Sequence, residues 1–179
     1  PADPLKKIYL ANKFFFPQLD HYRNYMTDVA FPISAHARAS TLIHELSHIA
    51  CKTEDIAYLE AYRPFSDLIE TSSPRAKALR DTLEDIQLNA LSKSCPLTRL
   101  FTVINPVTQS IEDLGDTSYE ESDRALARVF ALTGKTDLDD ARAAFMADSR
   151  VRLAVQLGNA DSVAWLISHL GRHLHSTTP

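Results

Sequence analysis

The chain has 179 residues, 45% of them hydrophobic and 23% charged, with four glycines and a formal net charge of −4. That length and balance suit one globular domain able to bury a core. No apolar run approaches the roughly 20 residues of a membrane span, and a net-negative chain argues against binding a phosphate backbone.

The opening Pro1-Ala2-Asp3-Pro4 has neither an initiator Met nor a basic-then-apolar leader, so the expectation is a processed chain or a piece of a larger protein. Lys6 to Phe16, "KKIYLANKFFF", is rich in aromatic and apolar residues and predicts a strand closed by Pro17. Residues 17–34, bracketed by Pro17 and Pro32, predict a loop with a helical turn. From Ala35 to about Cys51 the apolar residues Leu42, Ile43, Leu46, Ile49 and Ala50 recur at helical spacing, with Ser34 as the expected N-cap.

Ser73-Pro74 opens a second helix to about Ser92, with Leu79, Leu83, Ile86 and Ala90 facing inward. Leu100 to Val107 holds a short β-like stretch. Ser118 and Glu121 form a capping box for a helix to Leu132, ended by Gly134. Asp137 caps a helix through about Met146. Two more helices, Arg150 to Leu157 and Asn159 to Leu170, are separated by Gly158. Cys51 and Cys95 are too few for a disulfide framework and are expected as two buried thiols. The fold class read from this pattern is α+β and predominantly α-helical, one domain over 1–179 with a small sheet near the N-terminus.

One stretch carries chemistry. In "TLIHELSHIACKTEDIAYLEAY", Thr41 to Tyr62, His44 and His48 lie four apart around Glu45. Residues four apart share a helix face, so the two imidazoles can meet one ion, with Glu45 beside them as a general base. That is the arrangement of a catalytic zinc helix, in which the metal lowers the pKa of water to about 7 and polarises a carbonyl. The third ligand has several candidates in Glu54, Asp55, Glu60 and Glu84. A histidine-ligated pattern with glycine at 51 and histidine at 54 is broken by Cys51 and Glu54. Glu84, in "DTLEDIQ", reads as a solvated helix face.

Thr53, Asp55 and Tyr58 spell T-x-D-x-x-Y, and farther on Asn159-Ala160-Asp161-Ser162 spells N-A-D-S. With these two motifs in this order the chain resembles the aspzincins, zinc endopeptidases of the deuterolysin and peptidyl-Lys type, including members associated with bacterial toxins and effectors. The resemblance implies a zincin-like fold around the H-E-x-x-H helix, with a helical insertion over about 63–157. It implies Zn2+ held by His44, His48 and Asp55, Glu45 as general base, Tyr58 as oxyanion donor, and Asp161 in the substrate pocket. Lys52 and Leu59 stand where the family has glycines, which predicts an altered turn or one that keeps negative φ. Ala164 replaces the acid that assists lysine selection.

The expected activity is hydrolysis of peptide bonds in a protein or peptide substrate, by a secreted protein or one delivered to a target cell. The alternative is a zinc-binding or interaction module without catalysis. Tyr62 is a second candidate phenol. The remaining histidines lack metal-ligand spacing except His169 and His173, which read as a helix end, and Trp165 reads as core.

Overall fold

Helices form where the sequence repeats at helical spacing, and two features at their ends fix how they meet. The computed structural model describes residues 7–176. Among them are seven α-helices: α1 (Asn12–Phe15), α2 (Ile33–Cys51), α3 (Pro74–Glu84), α4 (Glu120–Thr133), α5 (Leu138–Ala147), α6 (Ser149–Gly158) and α7 (Ala160–Ser176). One antiparallel hairpin, β1 (Thr102–Ile104) and β2 (Ile111–Asp113), pairs Val103 with Glu112. The fold is therefore predominantly helical with a small sheet, but that sheet lies mid-chain.

The strand expected over 6–16 is a correction. Lys6 lies outside the described residues; 7–11 are irregular and Asn12–Phe15 form a helical turn. The stretch has aromatic content but no period-two alternation, and no neighbouring strand offers it an edge. It lies instead against α2. The loop that follows contains one 3-10 turn, Asp20–Tyr25, as its composition suggested.

α2 begins at Ile33, directly after Pro32, two residues earlier than expected, and Ser34 does not cap it. Its buried positions are Ile33, Ala37, Ser40 and Ser47, and Leu46, expected inside, is 51% exposed. Beyond Ile33 the helix thus buries a stripe of small residues instead of Leu42, Ile43, Leu46 and Ile49. Small side chains let α2 and α7 approach closely, and Ser40 and Ser168 hydrogen-bond across the contact through their Oγ atoms at 2.8 Å. His44 falls on this same stripe, four residues beyond Ser40.

α3 starts as the sequence indicates, with Ser73 Oγ accepting from Ala76 N at 3.2 Å. Past Glu84 it widens into a π turn, Asp85–Asn89. Buried Gln87 explains the distortion: its Oε1 accepts from Ser66 N (3.0 Å) and its Nε2 donates to Pro64 O (2.9 Å), so the helix yields to satisfy a buried loop. The capping box of α4 sits one residue later than expected, with Tyr119 N donating to Ser122 Oγ at 3.0 Å. Gly134 ends α4 at φ 68°, and Asp137 caps α5 by accepting from Asp139 N and Asp140 N.

Two apolar clusters result. One joins Leu19, Tyr22, Ile33, Ile69 and Leu83 beneath the first half of α2. The other joins Ile56, Leu59, Phe101, Val129, Phe145 and Val155, so the chain leaving α2 is buried by the later helices. No helix among the described residues is long and apolar enough to cross a membrane. Cys95 is buried and Cys51 exposed, both as free thiols, which corrects the expectation of two buried ones; Cys51 is the last residue of α2 and faces outward.

The junction between α6 and α7 depends on Gly158. A Cβ there would stand 2.4 Å from Leu132 Cδ1 and 3.4 Å from its Cγ. Gly158→Ala is expected to destabilise the protein by about 1–3 kcal/mol as Leu132 is displaced, measured by urea unfolding; an unchanged midpoint would show that the helix junction has slack.

Candidate metal and catalytic site

α2 delivers His44 and His48 from successive turns, and the segment after its end returns Asp55 to them. His44 Nε2 lies 3.3 Å from His48 Nε2 and 3.2 Å from Asp55 Oδ1, and His48 Nε2 lies 3.6 Å from Asp55 Oδ1. A tetrahedral ion with bonds of about 2.0–2.1 Å sets its ligand atoms about 3.3–3.4 Å apart. The three atoms are therefore spaced to within a few tenths of an ångström of one face of such a tetrahedron, and an ion held there would have its fourth position left for a group from outside this set. These residues are the one group of three or more potential ligands that could hold a metal ion among the described residues.

Each imidazole is oriented by its other nitrogen. His44 Nδ1 donates to Asp161 Oδ1 at 2.9 Å, and His48 Nδ1 donates to Thr53 O at 2.8 Å. A carboxylate and a carbonyl can only accept, so each ring holds a proton on Nδ1, and Nε2 is the atom that would offer a lone pair to a metal once the second proton of His44 is lost. Burial would lower the pKa of His44, but its hydrogen bonds to Asp161 and Asp55, with their charges, raise it to about 10. Burial would raise that of Asp55, yet His44 holds it below the usual range. The pocket thus favours positive charge, and a metal ion entering it displaces the His44 proton.

The return of Asp55 rests on the turn at the helix end. Lys52 adopts φ 54°, ψ 40°, the left-handed C-cap conformation, with its N–H bonded to Ser47 O. A lysine therefore makes a left-handed turn here, at a strain of about 1–2 kcal/mol, which corrects the expectation of negative φ at this position. At the other flank the left-handed residue is Glu60 (φ 51°), one beyond Leu59. Buried Thr53 steadies the turn: its Oγ1 lies 2.7 Å from Ser47 Oγ, which itself donates to His44 O at 2.7 Å.

Residues 158–162 clamp this segment from the far end of the chain. Glu54 N donates to Gly158 O (3.0 Å), and Ala160 N to Glu54 O (3.2 Å). Asn159, fully buried, accepts from Ile56 N and Ala57 N through Oδ1, both at 3.2 Å. Asp161 Oδ2 accepts from Leu59 N (2.8 Å) and Glu60 N (2.9 Å) while Oδ1 holds His44. Both oxygens of Asp161 are thus engaged inside the protein, although the residue also borders the cleft beside the metal ligands. The N-A-D-S spelling signalled the position; that Asn159 carries the loop backbone needed the fold to see.

A cleft of about 250 Å³ is lined by His44, Glu45, Tyr58, Tyr62 and Asp161 among others. Glu45 follows the first ligand by one residue, about 100° around α2, and still lines this cleft. The Tyr58 hydroxyl accepts from Ile104 N at 3.1 Å, which fixes its oxygen and leaves its proton to donate. Burial, aided by the Asp55 charge, pushes this phenol well above the usual tyrosine range, so it stays protonated.

The other candidates lie elsewhere. Glu84 pairs with Arg80 on the helix surface at 2.8 Å, and Glu60 pairs with Arg63 at 2.6 Å. Glu54 approaches Arg124 at 3.9 Å. Ala164 is fully buried, so its side chain adds nothing to the cleft. His169 and His173 bring their Nε2 atoms within 3.1 Å, with His169 stacked on half-buried Trp165. His36 bonds Arg63 O at 2.9 Å inside an aromatic group with Phe31 and Phe65. No protein-family model, no curated protein and no solved structure matches the chain.

Three substitutions separate the parts of the site. Asp55→Ala is expected to remove most bound metal while Glu54→Ala keeps it, read by elemental analysis after dialysis. The opposite pattern would move the third ligand to Glu54. Asp161→Asn is expected to weaken metal binding by roughly 10–100-fold, since the carboxylate orients His44; calorimetric titration showing unchanged affinity would remove Asp161 from the site.

Proposed function

We propose that the protein is a zinc-dependent endopeptidase of aspzincin type, with a zincin-like active site on α2. The observation that carries the reading is the convergence of His44 Nε2, His48 Nε2 and Asp55 Oδ1 beside a cleft that Glu45 and Tyr58 also line. Two imidazoles and one carboxylate with an open fourth position fit catalytic zinc, whereas structural zinc sites are closed by four protein ligands. The order of H-E-x-x-H, T-x-D-x-x-Y and N-A-D-S supports the family assignment, and the bonds between residues 158–162 and 54–60 give the two distant motifs a common physical purpose.

When bound, zinc supplies a Lewis acid that polarises the scissile carbonyl and makes water acidic enough to ionise near neutral pH. Glu45 takes the proton from the attacking water and passes it to the leaving nitrogen as the C–N bond breaks. Tyr58, protonated and held by Ile104 N, donates to the carbonyl oxygen as negative charge grows there. Asp161 and the Thr53 carbonyl hold the ligands' tautomers and take no part in proton transfer.

Glu45→Gln is expected to keep one zinc per chain and lose all detectable cleavage of an unfolded protein substrate. Full activity in that variant would contradict the mechanism, and stoichiometric zinc without turnover in the unsubstituted protein would leave a binding module. Tyr58→Phe is expected to keep zinc and lower kcat by about 10²–10³ with little change in KM; a loss confined to KM would make Tyr58 a binding residue only.

A further inference from the structure

Glu45 borders two clefts. The smaller is the one shared with His44 and Tyr58; the larger, about 660 Å³, lies between α2 and the chain's described N-terminal segment, residues 9–22. Thr41, Glu45 and Tyr62 belong to both. The floor of the larger cleft is Ala37, Thr41 and Glu45, one residue from each successive turn of α2, so two small side chains leave open a path that ends at the general base. Its walls carry the rings of Tyr9, Phe14, Phe16, Tyr22 and Tyr62.

Several of these rings face solvent. Phe16 is 71% exposed, Tyr9 69% and Tyr62 38%, although burying such a side chain typically gains about 1.5–3 kcal/mol. Exposed aromatic groups beside a concave site mark binding surfaces. The charged side chains lining the cleft besides Glu45 are Lys13 and Arg63, both cationic, the latter paired with Glu60. They repel a basic substrate side chain and leave an apolar one indifferent. A polypeptide cut beside Glu45 would have residues on both sides of that bond within reach of the two clefts that Glu45 borders.

We propose that this aromatic-walled cleft is a specificity subsite taking a bulky apolar, preferentially aromatic, side chain next to the scissile bond. The assignment rests on the peptidase reading, and two measurements separate the failure of each. In the first, the zinc-loaded protein is titrated with N-acetyl-tryptophanamide and N-acetyl-lysinamide and followed by NMR. The tryptophan probe should shift the resonances of Tyr9, Phe16 and Tyr62, and the lysine probe should not. Phe16→Ser with Tyr9→Ser, both at exposed positions that border only the larger cleft, should weaken tryptophan-probe binding about tenfold, roughly 1.4 kcal/mol, with zinc content unchanged. Equal binding of the two probes, or unchanged binding in the double variant, overturns the subsite.

In the second, a peptide library is cleaved by the unsubstituted protein and by the double variant. Enrichment of Phe, Trp or Leu at one position beside the cut, lost in the double variant, supports the proposal. Cleavage with no such enrichment overturns the subsite and leaves the peptidase. Tryptophan-probe binding with no cleavage of any peptide overturns the peptidase and the substrate role built on it, leaving an aromatic-binding cleft.

Discussion

The site depends on one buried carboxylate. Asp161 spends one oxygen on His44 Nδ1 and the other on the amides of Leu59 and Glu60. It therefore sets both the direction of an imidazole that could ligate a metal and the path of the loop that carries Asp55 and Tyr58. Hydrogen bonds to a charged acceptor contribute about 1.5–3 kcal/mol each, and a buried amide left without one costs a comparable amount. Asn159 does the same for Ile56 and Ala57 with a neutral group. Because these residues open α7, and α7 packs on α2, the histidines and the loop are positioned by the same rigid element. The intervening helices bury Asn159 and Val155 completely, so the clamp sits in low dielectric, where its polar bonds are strongest.

The turn at the end of α2 shows what this clamp tolerates. Lys52 and Glu60 both stand in the left-handed region, which glycine enters freely and these residues enter at about 1–2 kcal/mol. The loop is held at both ends, by Thr53 and Ser47 at its start and Asp161 at its end. Backbone strain of this size persists where surrounding bonds over-determine the conformation. Hydrogen bonding from residues 158–161 thus holds a loop flanked by two left-handed turns that glycine would make without strain.

Most helices were legible in the sequence, since their periodicity and caps are local: Ser73, Gly134 and Asp137 all act where expected. The pairing of His44 and His48 was also legible, because they share a helix face; spacing left their third partner open among Glu54, Asp55, Glu60 and Glu84, and only the T-x-D-x-x-Y resemblance pointed to Asp55. What local pattern could not show was partnership. The aromatic run before Pro17 resembled a strand because composition was counted where alternation was absent. α2 was expected to bury Leu46 and instead buries Ser40, bonded to Ser168 of α7, and Ser47, bonded to Thr53 of the returning loop. The π turn at Gln87 arises from a loop more than twenty residues earlier. Asp161 was expected beside the substrate, and its engagement with His44 appears only when residues 117 apart in sequence meet.

The central claim is that two imidazole nitrogens and one carboxylate oxygen form an open, three-ligand zinc site. X-ray absorption of the zinc-loaded protein tests it most directly. The account predicts one zinc per chain in a tetrahedral shell of nitrogen and oxygen at about 2.0–2.1 Å, with two imidazole scattering patterns and no sulfur. Asp55→Ala should lose that shell. A spectrum with a sulfur ligand near 2.3 Å, with a single imidazole, or unchanged in Asp55→Ala would contradict the account.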